Sequence, residues 1–209
     1  MIPMEAIWQA TERYGLASAP GALALVQDLL NTVSAGRPRE ADLLADVSLA
    51  QGWLDAARNA WTATTGRAVP EVRLEEEDVV RLRDVRRAVR DSMTPPGGST
   101  ERPGEDSPVP VLETATVALE FAADGTVTAA PRGGGSGYLV AMLLLALWQA
   151  QSDGERRRLK LCRNPRCSVA FYDRSRNNSG VWHDVRTCGN AANLRAFRAR
   201  ASTTGADRT

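Results

Sequence analysis

Between Ala22 and Val33 the chain reads ALALVQDLLNTV, an apolar helix interrupted only by polar side chains at Gln27, Asp28, Asn31 and Thr32. Asp28, Asn31 and Thr32 stand at i, i+3 and i+4, so they share one face of that helix. Polar groups withdrawn from water need partners, which makes a buried hydrogen-bond network the favoured reading of the trio. The other reading is a small-molecule pocket or a domain interface, where an effector or a protein partner would meet the N-terminal domain. A shorter helix is predicted over residues 5–15, with Ile7, Trp8 and Tyr14 as its apolar positions. Ser48 is the predicted N-cap of a helix running through Trp61, with Leu49, Trp53, Ala57 and Trp61 on one stripe. The clearest helix spans 71–92, where Val79, Leu82, Val85, Arg86 and Val89 keep a three-to-four spacing. Its acids, Glu75 to Asp78, suit the positive helix end; Arg86, Arg87 and Arg90 suit the other.

The period then changes. Residues 94–110, TPPGGSTERPGEDSPVP, have the composition of a flexible loop. Beyond them VLETATVALEF and TVTAAP alternate apolar or small with polar residues around Asp124-Gly125, which predicts a β-hairpin. The run GGGSG, Gly133 to Gly137, lacks the Gly-Lys-Ser/Thr ending of a phosphate loop and reads as a flexible connection. Ser136 to Gln151 is a strongly apolar helix, the core pin of the preceding residues. Its longest apolar run, 138–148, is too short to span a bilayer, so no membrane partner is expected. The fold class predicted is α+β. A mostly helical N-terminal domain with a β-hairpin occupies 1–153, and a small module of short strands and one helix occupies 154–209.

Composition adds little until charge is divided along the chain. An apolar fraction of 43% and a charged fraction of 24% are those of an ordinary globular protein. The first residues, MIPMEAIWQATERYG, lack a basic segment followed by an apolar core; a cytoplasmic protein with reduced thiols is expected. The formal net charge of +1 hides a split: residues 154–209 hold 13 Lys and Arg against 4 Asp and Glu, net +9, leaving −8 for 1–153. A basic end on an acidic body points to a polyanion partner. A solvated tail is the plainer reading.

All three cysteines and the only histidine fall within this basic end, at Cys162, Cys167, His183 and Cys188. The spacing C-x4-C-x15-H-x4-C sets two close ligand pairs across a loop, the layout of a structural zinc site. Three soft thiolates and an imidazole select Zn2+. The rival, a Cys162–Cys167 disulfide, leaves Cys188 over and needs an oxidising compartment. Four protein ligands close the metal, and with His183 among them no histidine is left as a general base; no enzyme is expected. The candidate polyanion contacts are Arg174, Arg176, Arg186, Arg195, Arg198 and Arg200, with Asn177 and Asn190 as polar helpers. Phe171, Tyr172, Trp182 and Phe197 are more naturally the core of so small a module than base-stacking surfaces.

Around these ligands the sequence resembles a CGNR-type zinc finger. The matching pieces are LCRNPRC with Cys162 and Cys167, FYDRSRN from Phe171 to Asn177, Trp182, and Cys188-Gly189-Asn190. The preceding residues resemble the ABATE domain, most closely at the Asp-x-x-Asn-Thr element formed by Asp28, Asn31 and Thr32. The resemblance implies a bacterial, stress-linked transcriptional regulator whose finger binds DNA. Three departures stand out: His183 replaces the usual third cysteine, Ala191 replaces the final arginine of CGNR, and Gly180-Val181 replace basic residues before the tryptophan. The alternative function is a zinc-stabilised protein-interaction module that does not touch DNA.

Overall fold

The computed structural model describes residues 6–36, 38–93, 113–191 and 194 of the chain. Its centre is one helix, α2 (Leu23–Asn31), in which every side chain is buried. Helices α1 (Gln9–Glu12), α3 (Val47–Thr65), α4 (Glu76–Ser92) and α5 (Gly135–Ser152) all touch it. Leu29, Leu30, Val26 and Ala24 are fully inaccessible, packed against Leu54 of α3, Val79 and Leu82 of α4, and Val140 and Leu143 of α5 in one apolar core. Each buried leucine of this kind contributes about 2 kcal/mol by leaving water.

Local signals start and stop the helices, but α1 is shorter than the predicted 5–15 and α4 begins at Glu76 rather than 71, and two further corrections concern caps. The N-cap of α3 is Asp46, whose carboxylate accepts the Leu49 N–H at 2.8 Å; Ser48 lies inside the first turn. The helix therefore turns Ala50, Trp53, Leu54, Ala57 and Ala60 inward, and Leu49 is 42% exposed. Gly66 ends it at φ +69°, the left-handed position that glycine takes without a Cβ clash. The run GGGSG is the second correction: Gly135, Ser136 and Gly137 are the first turn of α5. The Asp78 carboxylate of α4 accepts from Glu75 N at 2.9 Å through one oxygen and from Ser136 N at 3.3 Å through the other, serving the starts of both helices. The arginines assigned to the α4 dipole do other work. Arg86 is buried and forks onto Asp42 at 2.7 and 2.8 Å, and Arg90 reaches the Leu30 and Ser168 carbonyls.

The hairpin forms as the alternation predicts. β1 (Val117–Phe121) pairs antiparallel with β2 (Val127–Pro131), Phe121 opposite Val127, and Gly125 takes φ +85° in the turn. Its inner side meets α5, whereas Leu119, Phe121 and Val127 point outward at 76%, 79% and 60% exposure. The predicted loop 94–110 lies outside the described residues. Among those described, no helix is long and apolar enough to cross a membrane.

A second hairpin, β3 (Leu159–Leu161) with β4 (Ala170–Tyr172), leads into the cysteine-rich segment. The fold is α+β: helices with two small antiparallel sheets. Leu159 and Ala170 belong to the same core as α2. Asn31 reads the backbone of Ala170 as a neighbouring strand would, accepting its N–H at 2.8 Å and donating to its carbonyl at 2.9 Å. Gly36 N–H donates to the Cys167 carbonyl at 3.1 Å, and Arg90 donates to Ser168 O at 2.7 Å. The C-terminal hairpin is thus seated on the helical body.

Candidate metal centre

Cys162 leaves β3 with its N–H on the Val169 carbonyl at 2.8 Å, and Cys167 N–H closes a turn on Asn164 O at 2.8 Å. Ser168, in the left-handed region at φ +62°, swings the chain back into β4. The pair Cys162 and Cys167 therefore sits on a tight knuckle between two paired strands. The second pair is set by Asp184, whose carboxylate accepts the Thr187 N–H at 3.0 Å. Its carbonyl accepts Cys188 N at 3.0 Å and Gly189 N at 3.3 Å, a five-residue turn that opens the spacing of Val185–Gly189. His183 and Cys188 thus face the knuckle from either end of that wide turn.

The ligand atoms of Cys162, Cys167, His183 and Cys188 all lie within 4.8 Å of one another. Zn–S bonds of about 2.3 Å place tetrahedral sulfurs about 3.8 Å apart, so the cluster has the size of a zinc tetrahedron. His183 offers Nδ1, 3.3 Å from the Cys167 sulfur. The three cysteines are free and buried, which removes the disulfide alternative. Their chemistry asks for a cation. The Cys162 thiol is pushed down, chiefly by the hydrogen bond with Cys167 and against its own burial. That anion and burial drive Cys167 up. A divalent ion reverses the second effect and lets all the sulfurs ionise. The donor set fits zinc. Bound there, Zn2+ supplies four bonds that tie the knuckle to the wide turn, a structural role.

Residues 158–201 match the family model of the CGNR zinc finger. Comparison with curated proteins finds no matching relative.

The finger's named residues acquire physical roles. A Cβ at Gly189 would lie 3.1 Å from the Trp182 ring and 3.2 Å from Val185, so the glycine of CGN lets the tryptophan close over the site. Cys162, Cys167, Val169 and Cys188 form a small cluster with Ala35, bordered by Tyr14, Leu16, Val33 and Trp182, so most of the apolar jacket around the ligands comes from the N-terminal body. Two residues that sequence reasoning passed over hold the finger in shape. Asn164, wholly buried, donates to the Cys188 sulfur at 3.2 Å and orients a ligand. Asp173, 4% exposed, accepts from Lys160 Nζ at 2.7 Å, Ser175 N at 2.9 Å and Gly180 N at 2.7 Å. Burial pushes its carboxyl up, but these donors, Lys160 first, outweigh burial and hold it far below the usual carboxylate range. The loop 173–180 is wrapped on this one carboxylate. A Cβ at Gly180 would come within 2.8 Å of it, so the basic residue of the family pattern has no room here in this arrangement.

The candidate polyanion contacts separate into groups. Arg176, Arg186 and Asn190 are exposed; neither arginine forms a close ion pair among the described residues, though Arg186 lies near the Asp184 carboxylate. Arg174 is exposed but spends one nitrogen on the Ser18 carbonyl at 2.7 Å and lies over the Tyr172 ring. Arg195, Arg198 and Arg200 lie outside the described residues. Asp28, Asn31 and Thr32 are fully buried rather than lining a cavity. Asp28 accepts the Thr11 N–H and the Trp53 indole N–H, each at 2.8 Å; Asn31 holds β4; Thr32 accepts from Arg86 at 2.8 Å.

Proposed function

We propose that this protein is a DNA-binding transcriptional regulator in which zinc shapes the finger and the finger presents arginines to the phosphate backbone. The observation that carries the reading is the surplus of exposed guanidiniums on the finger, Arg166, Arg176 and Arg186, in a segment of net charge +9. An arginine that no carboxylate neutralises contacts phosphates through two parallel N–H groups, which positions a module on a duplex without reading its sequence. Arg195, Arg198 and Arg200 extend the same charge along the chain. Four side chains stand ready to ligate one metal, which would leave it no open position for chemistry and supports a non-enzymatic reading. The helical body, which resembles the ABATE domain, is the sensing or interaction part.

The test is DNA retention by the zinc-loaded full chain as a function of salt. Each phosphate contact contributes about 0.9 to the slope of log affinity against log salt. Arg176→Ala/Arg186→Ala should lower that slope by roughly two contacts. Random-library selection with the same protein yields the site and its symmetry. Absence of DNA affinity at low salt overturns the reading. The protein-interaction alternative is favoured by one feature, the outward Leu119, Phe121 and Val127 of the first hairpin, and survives that result.

A further inference from the structure

An open groove of about 610 Å³ runs between the end of α4 and the back of the zinc hairpin. Ser92 and Met93 form one side; Arg156, Arg157, Lys160 and Arg163 stand on the other, and among the described residues no carboxylate lines it. We propose that this groove is a binding site for a small organic phosphate, independent of the DNA contacts.

Charge is the first argument. Lys160 is neutralised by Asp173, but Arg156, Arg157 and Arg163 have no acidic partner among the described residues. Even against the formal −1 of a Cys3His zinc site, the wall stays positive. Burial is the second argument. Arg156 is half-buried, donates to the Ser92 hydroxyl at 3.1 Å, and burial pulls its guanidinium below its ordinary value. A cation withdrawn from water without a counter-charge costs stability unless an anion arrives to pair with it. A duplex backbone runs across an exposed surface, whereas this cation is recessed within a concavity.

Shape and lining define the ligand class. A volume of this size lies in the range of small-molecule sites, about 300–1,000 Å³. Leu159, Leu161 and Val181 add apolar surface beside the cations, and the Ser168 and Ser179 residues add polar groups. That mixture fits an anion of two or three charges carrying a less polar body, as in a nucleoside phosphate; inorganic phosphate alone would leave the apolar side unfilled. The two walls come from the helical body and from the finger, so a bound ligand would bridge them.

The test is calorimetric titration of the zinc-loaded full chain with ADP, and separately with pyrophosphate. Saturable binding of ADP, with weaker binding of pyrophosphate, is expected. Arg156→Gln/Arg163→Gln should weaken ADP by at least about tenfold, since each charge-assisted contact is worth roughly that factor. Zinc content and far-UV circular dichroism serve as folding controls. Arg163→Gln alone, at an exposed position, provides the second variant if the double one misfolds. Equal ADP affinity in the variants places the site elsewhere and overturns the proposal. No binding of either probe overturns it too, and so does loss of DNA retention in these variants without any ADP binding, which would assign the groove to the DNA path. Because Arg176 and Arg186 are untouched, failure here leaves the regulator reading standing.

Discussion

At the scale of single residues the finger rests on two side chains that do not bind metal. Asp173 ties the 173–180 loop to β3, and its ionisation has a predictable signature. Its folded pKa is depressed, so its contribution is complete above the unfolded value near 3.8 and is lost as pH falls below that toward the folded one. Asp173→Asn should therefore be less stable than the wild type near neutrality, by about 2 kcal/mol for hydrogen bonds to a charged group. The gap between the two should close below about pH 4. Following that difference, rather than either stability alone, cancels acid loss of metal, which both proteins share; a gap that is constant across pH would contradict the assignment. Asn164 acts through the Cys188 sulfur. Asn164→Ala should keep one zinc per chain and weaken its retention about tenfold or more, measured by competition with a chromophoric chelator. The four ligands were legible in the sequence because Cys and His are rare and closely spaced there. Asp173 and Asn164 were not, since Asp and Asn in a loop read first as turn formers.

At the scale of elements, periodicity located the five α-helices among the described residues and the first hairpin but not the short helical turn Glu155–Arg158, and it failed where two local signals competed. Ser48 and Asp46 are both good caps; the one whose carboxylate reaches Leu49 N wins, and the buried stripe of α3 shifts with it. The glycines before α5 read as a flexible connection because nothing local shows the Asp78 carboxylate, distant in sequence, meeting Ser136 N. The hairpin posed a different problem. One face of the hairpin carries Val117, Leu119, Phe121 and Val127 and the other Ala118, Glu120, Thr128 and Ala130, so alternation alone would turn the more apolar face toward α5. The structure turns Leu119 and Phe121 outward. Phe121→Ser should then change stability by no more than about 0.5 kcal/mol in urea unfolding, as substitutions at unpacked surface positions do. Leu159→Ala, made in a short strand but within the central core, should cost about 2–5 kcal/mol. Equal effects at the two positions would mean that the hairpin is packed the other way round.

For the whole molecule, what matters is that the basic, metal-binding end and the acidic helical body share structure, which charge and composition along the chain do not reveal. The joining contacts span up to 156 positions: Arg174 donates to Ser18 O, Asn31 pairs with Ala170, Arg90 links Leu30 O to Ser168 O, and Gly36 N meets Cys167 O. Asn31 does in this chain what an adjacent strand would do, and a polar residue on an apolar helix cannot announce that from local pattern alone. A metal on the four ligands would hold the knuckle and the wide turn together, the knuckle continues into β4, and β4 packs on α2. Removing the metal should therefore unsettle the body as well as the finger. Chelation is expected to lower the melting temperature of the helical signal by roughly 10 °C, corresponding to about 3 kcal/mol of lost docking in a chain of this size. The metal-loaded protein should melt in one transition, seen alike by far-UV circular dichroism and by tryptophan fluorescence, to which Trp8, Trp53, Trp61 and Trp148 of the body and Trp182 of the finger contribute. In Asn31→Ala/Arg90→Ala the coupling should weaken, so that the Trp182 part of the fluorescence change separates from the helical transition. An unchanged helical melting temperature after complete chelation would show that the finger rides on the body without supporting it.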